Sequence, residues 1–163
     1  MSKIDGGDLV WKAPELLLLT TNEAVKAMKK ATIFTQGVAK KIAGGTGSGR
    51  LYRRRRQKGK RGSFKSSDFH RASAPGDPPA RDTGILVNSI SYTVKARGLL
   101  ISGFVGSDID KIRSKEPTTD PEYGFFLERG TRNISPRPWL IPSLIRARPV
   151  INKIFLGAMR AIT

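Results

Sequence analysis

Residues 90–107, with the sequence ISYTVKARGLLISGFVGS, decide the fold class of this chain. At the start of the stretch, every second residue from Ile90 to Val94 is apolar, which is the pattern of a half-buried strand. A second apolar run follows at 99–107, and Arg97–Gly98 between the runs has the composition of a tight turn. The stretch therefore predicts an antiparallel β-hairpin.

The segment before the hairpin predicts a long helix over residues 21–43. Thr20 and Glu23 have capping-box spacing at its start, and Gly44 and Gly45 end it. Apolar residues recur at steps of three and four and form one stripe. The stripe contains Val25, Met28, Ala31, Phe34, Val38 and Ile42.

The remaining segments complete an α+β fold. Residues 85–90 suit either a short helix or the start of a strand, and residues 122–130 suit a short helix that stops at Gly130. Residues 135–144 run extended into a final helix, which Pro149 is expected to kink or split. The predicted fold is therefore a long N-terminal helix, a small antiparallel sheet, a C-terminal helix and a long basic loop.

Length and composition predict one soluble domain. The chain has 163 residues, which suits a domain over residues 20–163 with an N-terminal extension over residues 1–19. Trp11 and the leucines at 16–19 suit either an arm that packs on a neighbour or an edge strand. The chain has no cysteine, and no apolar run approaches the roughly 20 residues that span a bilayer. We expect assembly in the cytoplasm and no membrane partner.

The positive charge is concentrated in one part of the chain. The net charge is +17, and residues 24–67 contain 14 Lys or Arg and no acidic residue. The rest of the chain holds 16 basic and 13 acidic residues and is nearly balanced. Such a block usually marks a contact with nucleic acid or with an acidic surface. Within it, residues 44–74 predict a long, mobile basic loop.

The loop starts with a glycine stretch, GGTGSG at residues 44–49, that invites comparison with a P-loop. Gly44 and Gly49 have the glycine spacing of the motif G-x-x-x-x-G-K-[ST]. Arg50, however, stands at the lysine position and Leu51 at the position of the magnesium-binding hydroxyl, and the preceding element reads as a helix. We therefore reject a nucleotide site and interpret the glycines as slack that lets a basic arm swing.

The arm carries nine basic residues that we predict to contact nucleic acid or an acidic partner. They are Arg50, Arg53, Arg54, Arg55, Arg56, Lys58, Lys60, Arg61 and Lys65. Tyr52 and Phe64 lie nearby and can stack. Three interpretations stay open: contact with a phosphate backbone without sequence readout, docking on an acidic protein, or no specific role.

The sequence is poor in catalytic residues. His70 is the single histidine and lies in the predicted loop. Two pairs of nearby carboxylates also fall in predicted loops, where solvated carboxylates are usual: Asp108 with Asp110, and Asp120 with Glu122. No His, Cys, Asp or Glu cluster has metal-ligand spacing. We predict that the chain is not an enzyme and has no catalytic residue, cofactor or metal.

Four stretches of the second half occur in a recognisable order: SAPGDPPARDTGILVNSI (73–90), VGSD (105–108), EYGFFLERGT (122–131) and SPRPWLIPSL (135–144). This order resembles the tail-component family of long-tailed bacteriophages, also called neck or tail-completion proteins. The resemblance covers about residues 70–150, and the helix over 21–43 also suits that family. The matching positions are Pro75, Gly76, Pro78, Pro79, Asp82, Thr83, Gly84, Val105, Gly106, Tyr123, Glu128, Gly130, Thr131, Pro136, Arg137, Pro138 and Trp139.

The resemblance implies a virion structural protein that forms a homo-oligomeric ring, most plausibly a hexamer, in the neck or tail. The ring would join tail to capsid and surround the channel through which DNA leaves. Its implied partners are the head-side connector or stopper, the tail terminator or tail tube proteins, and genomic DNA. A tail terminator ring and a non-specific nucleic-acid-binding protein that uses residues 50–65 are the alternatives.

The resemblance also suggests four subunit-interface candidates: Asp82, Glu128, Arg137 and Trp139. Arg137 could pair with Glu128 within one subunit or across an interface, or it could be an ordinary surface arginine. Trp139 suits the core or an interface.

Overall fold

The computed structural model confirms the α+β fold and describes residues 21–53, 69–98, 100–108, 110 and 122–160. The predicted extension over residues 1–19 lies outside the described residues. In chain order the elements are α1 (Thr21–Ala43), β1 (Leu51–Arg53), β2 (Phe69–Arg71), α2 (Ile85–Ser89), β3 (Ile90–Arg97), β4 (Leu100–Ser107), α3 (Tyr123–Arg129) and α4 (Leu140–Arg160).

The predicted hairpin over 90–107 is confirmed, with its turn one residue later. Strands β3 and β4 pair antiparallel from Ile90 opposite Ser107 to Arg97 opposite Leu100. Because Arg97 still belongs to the ladder, the connection begins at Gly98, whose φ is 59°. A left-handed residue at this position suits the twist of a tight hairpin, and glycine adopts that conformation without a Cβ clash.

Helix α1 lies between the hairpin and α4. One buried cluster joins the last turns of α1 to the hairpin and the start of α4, and contains Ala39, Ile42, Ala43, Leu86, Ile90, Val105, Leu127, Trp139 and Leu140. A second cluster joins the first half of α1 to the second half of α4, and contains Ala27, Met28, Ala31, Ala147, Ile151 and Phe155. The two long helices therefore run antiparallel.

The burial of α1 differs from the single predicted stripe. Phe34 is exposed, whereas Thr32 and Thr35 are buried. The hydroxyl of Thr32 donates to the carbonyl of Met28 at 2.9 Å, and that of Thr35 to the carbonyl of Ala31 at 2.8 Å. Small side chains let α1 contact the hairpin on one side and α4 on the other. A helix with two packed faces buries more than one apolar stripe.

The short elements confirm the sequence patterns. The two alternatives for residues 85–90 are both realised, because helix α2 runs directly into strand β3 at Ile90. Gly84 precedes α2 with a φ of 81°. Helix α3 ends at Gly130, whose φ is 76°, as predicted.

Two parts of the expectations for the last helix and the basic loop are wrong. Helix α4 continues through Pro149 and is not split there. Pro149 lies on the exposed side of the helix. The ends of the predicted loop over 44–74 are also not loop, because β1 and β2 pair there as a two-stranded ribbon. The chain between 53 and 69 lies outside the described residues.

Candidate functional site

The base of the basic arm is a packed stem, which corrects our interpretation of its glycines as slack. A Cβ added at Gly47 would lie 1.8 Å from the carbonyl oxygen of Arg71, and one at Gly49 would lie 2.9 Å from the nitrogen of Ala74. Cβ atoms do not approach backbone atoms this closely. The two glycines therefore let residues 45–49 lie directly against the chain that follows β2.

Backbone hydrogen bonds extend the ribbon into this stem. The amide of Gly49 donates to the carbonyl of Ala72 at 2.8 Å, and the amide of Ala72 donates to the carbonyl of Arg50 at 3.0 Å. The guanidinium of Arg71 also donates to the carbonyl of Gly49 at 3.0 Å. These bonds hold the two strands in one register up to the point where the arm begins.

Ser48 fastens the stem to the proline-rich loop. Its hydroxyl donates to the Asp77 carboxylate at 2.5 Å and accepts from the amide of Ala74 at 3.1 Å. Further along, the amide of Arg81 donates to the carbonyl of Gly45 at 3.0 Å. The stem is therefore tied to the body of the domain by side-chain and backbone bonds.

The ribbon exposes large apolar and aromatic side chains beside its basic residues. Leu51, Tyr52 and Phe69 are 52%, 51% and 39% exposed. The guanidinium of Arg50 lies 5.7 Å from the centre of the Tyr52 ring, within cation–π range. Such a combination can stack on bases or on a partner's side chains while cations meet phosphates or carboxylates.

The ribbon also fixes where the arm leaves the domain. Arg53 lies opposite Phe69, so the chain between them starts and ends at one tip of the ribbon. Of the nine predicted contact residues, Arg50 and Arg53 are described and lie on the ribbon. Arg54, Arg55, Arg56, Lys58, Lys60, Arg61 and Lys65 lie outside the described residues.

The order of elements around GGTGSG is the reverse of a P-loop. The glycine stretch follows helix α1 and leads into strand β1, whereas a P-loop follows a strand and opens a helix. The backbone groups of Gly45 and Gly49 are used by the stem bonds described above.

A second structured feature joins α3 to α4 through the motif residues of the second half. The Glu128 carboxylate accepts hydrogen bonds from the amides of Trp139 and Leu140 through Oε2, at 2.7 and 2.8 Å, and of Ile141 through Oε1, at 2.9 Å. These amides stand at the start of α4, where the first backbone amides have no acceptor within their own helix. We refer to this arrangement as the Glu128 cap.

The aromatic side chain beside the cap closes the junction. Trp139 is 2% exposed, and its indole N–H donates to the carbonyl of Gly124 at 3.0 Å. A Cβ at Gly124 would lie 2.6 Å from Oγ of Ser107, so α3 sits directly on the end of β4. The indole thus holds α4 to a helix that is itself seated on the hairpin.

The proline stretch before α4 is tied to the loop before α2. The amide of Gly76 donates to the carbonyl of Pro136 at 2.9 Å. The amide of Arg137 donates to the carbonyl of Leu127 at 2.6 Å, and its side-chain Nε donates to the carbonyl of Ser73 at 3.4 Å. The guanidinium therefore contacts backbone oxygen, while the Glu128 carboxylate is engaged by α4.

These contacts place three of the four interface candidates inside one subunit. Trp139 takes the core position, and Glu128 and Arg137 hold the junction between helices. Asp82 is exposed and lies 3.7 Å from Nδ1 of His70. The assignment of these residues to a subunit interface stays a prediction.

A small cleft of about 190 Å³ lies beside Asp82 and Tyr123. Burial raises the pKa of the Tyr123 phenol, the Arg137 guanidinium opposes that shift, and the Asp82 carboxylate adds to it. The cleft is smaller than the roughly 300–1,000 Å³ of typical small-molecule sites.

No family model, curated protein or solved structure matches this chain. Among the described residues, no group of three or more His, Cys, Asp or Glu side chains could hold a metal ion. In the same part of the chain, no helix is long and apolar enough to cross a membrane.

Sequence reasoning located the basic segment and missed the residues that hold it. Gly47, Ser48, Asp77 and Arg71 form the stem, and none of them was expected to do so. The usable signal was the alternation of glycine with small residues at 45–49, because such a stretch suits close backbone approach as well as slack. The Glu128 cap could not be predicted from neighbouring residues, because its amide donors lie eleven to thirteen residues further along the chain.

Proposed function

We propose that this chain is a virion structural protein that forms a ring at the head–tail junction of a long-tailed bacteriophage. The ring surrounds the DNA channel and joins the tail to the capsid as a neck or tail-completion protein. The proposal rests on the ordered resemblance of the second half of the chain, and the junction around the Glu128 cap supports it.

The supporting observation is that the four stretches of the resemblance meet in one structural unit. Gly76 of the first stretch bonds to Pro136 of the last. Ser107 of the second lies against Gly124 of the third. Glu128 of the third caps the helix that begins in the last. Contacts thus join all four stretches, which the proposed resemblance treats as one motif.

The position of the basic arm would give the proposed ring a concentrated positive charge. The stem fixes the point at which each arm leaves the domain, so a ring would repeat the arm at equal intervals around its axis. Repetition turns a single basic arm into a collar of positive potential. Such a collar would meet the DNA backbone in the channel, or an acidic face of a neighbouring ring.

Particle assembly tests the proposal. Phage from which the gene is removed should yield separate filled heads and tails in gradient fractions, and the purified protein or the intact virion should show rings by negative-stain imaging. Intact infectious tailed particles without this chain would exclude the proposed function. Placement of the rings at the head-facing end of separated tails, and not on separated heads, would favour the tail terminator alternative instead of a neck ring.

Non-specific nucleic-acid binding by a free subunit is the second candidate. The exposed Tyr52 and the neighbouring Arg50 at the β1–β2 ribbon favour it. This candidate predicts tight DNA binding by the monomer and no rings under any condition. Light scattering of the purified protein with and without DNA distinguishes the two functions.

A further inference from the structure

The outer face of α4 is apolar although no other described element covers it. Ala147, Ile151 and Phe155 of α4 are buried against α1. At other positions of the helix, Ile141, Ile145 and Leu156 are 59%, 66% and 54% exposed. Their spacing of four and eleven residues places them on one face, turned away from α1. We call these three residues the outer stripe.

The charge around the outer stripe has one sign. Helix α4 contains no Asp or Glu. Its four basic residues are all exposed: Arg146, Arg148, Lys153 and Arg160. An occupant of this face therefore needs apolar side chains for the stripe and carboxylates for its margins.

The first 20 residues of the chain have this composition. They carry Asp5, Asp8 and Glu15 beside only two lysines, and they include Trp11 and the leucines at 16–19. This composition contrasts with residues 24–67, which carry no acidic residue. The N-terminal segment is thus complementary to the outer stripe in polarity, and within residues 9–19 Glu15 is the carboxylate that can meet the basic margins of the stripe.

The N-terminal segment also ends at the correct place. It leads into α1 at Thr21, and the first half of α1 packs against the second half of α4 through Met28 and Phe155. Crossing from the α1 axis to the outer face of α4 takes about 15 Å. The stripe from Ile141 to Leu156 is about 22 Å long, at about 1.5 Å per residue. The twelve residue steps from Leu9 to Thr21 in extended form reach about 40 Å, slightly more than the sum of the two distances, about 37 Å.

We propose that residues 9–19 cover the outer stripe of α4 in the same chain. The segment turns around the Phe155 end of α4 and then runs toward Ile141, which brings Trp11 to the neighbourhood of Ile145. Docking within the chain is favoured because the short connection to α1 keeps the effective concentration of the segment high. The inference does not depend on the proposed neck function.

Acrylamide quenching of Trp11 fluorescence tests the docking. Acrylamide is neutral, so the net charge of +17 does not concentrate it. The other tryptophan, Trp139, is buried, and Trp11→Phe supplies its background. Ile145→Asp should raise the Trp11 quenching constant several-fold, because it places a carboxylate inside the contact. The matched control Leu100→Asp alters an equally exposed apolar residue on β4 and should leave quenching unchanged. An unchanged constant in Ile145→Asp would overturn the proposal.

Disulfide trapping assigns the occupant, since the chain has no native cysteine. We expect Trp11→Cys combined with Ile145→Cys or with Ile141→Cys to form a disulfide within one chain, seen as a monomer of altered mobility without reductant. Trp11→Cys with Leu100→Cys should not cross-link. Linked dimers or longer ladders would assign the segment to a neighbouring copy, and absence of any cross-link would exclude docking; both results overturn the proposal. Neither readout requires a ring, so failure here is distinguishable from failure of the neck function.

Discussion

The Glu128 carboxylate accepts a hydrogen bond from the backbone amide of Trp139 at 2.7 Å. This bond joins helix α3 to the start of helix α4. Side-chain caps usually come from the residue just before the helix. Here the cap comes from the preceding helix α3, and it places a negative charge at the positive end of α4. The bond therefore fixes the angle between α3 and α4 as well as the start of α4.

We expect Glu128→Ala to lower the free energy of unfolding by about 2 kcal/mol, because it leaves the amides of the first turn of α4 without acceptors. Glu128→Gln should cost less, since the amide keeps one acceptor oxygen but lacks the charge. Urea unfolding followed by circular dichroism measures both. Lys26→Ala is the control, because it removes the exposed ion pair with Glu23, a kind of pair worth about 0–1 kcal/mol. Equal losses in Glu128→Ala and Lys26→Ala would contradict the cap.

The contact between β4 and α1 requires glycine at position 103. A Cβ there would lie 2.3 Å from Cγ2 of Thr32 and 2.7 Å from Sδ of Met28. Gly103→Ala should therefore destabilise the fold by about 1–3 kcal/mol through overpacking. Gly37→Ala is the matched control, since nothing lies within 4 Å of that position, and alanine in a helix gains about 0.5–1 kcal/mol over glycine.

The same contact gives a double-mutant prediction. Thr32→Ser removes the Cγ2 methyl that meets the new Cβ but keeps the hydroxyl that donates to Met28. The double variant Gly103→Ala/Thr32→Ser should recover part of the loss, with a coupling energy of about 0.5–3 kcal/mol between neighbouring sites. Strict additivity of the two substitutions in urea unfolding would show that β4 does not approach α1 at this point.

The sequence carried enough information for the elements whose signal is local. The alternation around Ile90 and the turn glycine Gly98 predicted the hairpin, and the steps of three and four predicted α1. Pro149 does not split α4, because a proline on the exposed side of a helix loses one backbone bond without forcing its ring into the core. Helix α4, with Ala147, Ile151 and Phe155 on its inner side, is held by packing along its whole length.

The rest depends on contacts between distant residues. The pairing of β1 with β2 joins residues such as Leu51 and Arg71, which neither composition nor periodicity links. Thr32 is buried because Gly103 lets β4 approach α1 closely at this point. The pattern of apolar residues in α1 does not predict this burial. For the candidate site, composition therefore located the basic arm, while the contacts of its stem required the structure.

The stem makes a specific prediction for hydrogen exchange. Gly47→Ala places a Cβ where the carbonyl oxygen of Arg71 now lies, so the stem must separate from β2. We expect the amide of Ala72, which donates to Arg50, to lose its protection. The same amide should stay protected in Gly37→Ala. Retained protection in Gly47→Ala would restore the interpretation of these glycines as slack.

Salt dependence separates phosphate contact by the arm from general attraction by a basic protein. Each phosphate that the arm neutralises contributes about 0.9 to the slope of log K against log salt on double-stranded DNA. Replacing Arg55 and Arg56 by glutamine should therefore lower the slope by about 1.8 and weaken binding to all sequences alike. The control replaces Lys29 and Lys30, two exposed cations of α1, by glutamine, and should change the slope much less. Equal effects of the two double variants would assign the attraction to the net charge of the whole chain. A slope near zero in the unsubstituted protein would indicate that the arm binds an acidic protein surface instead of DNA.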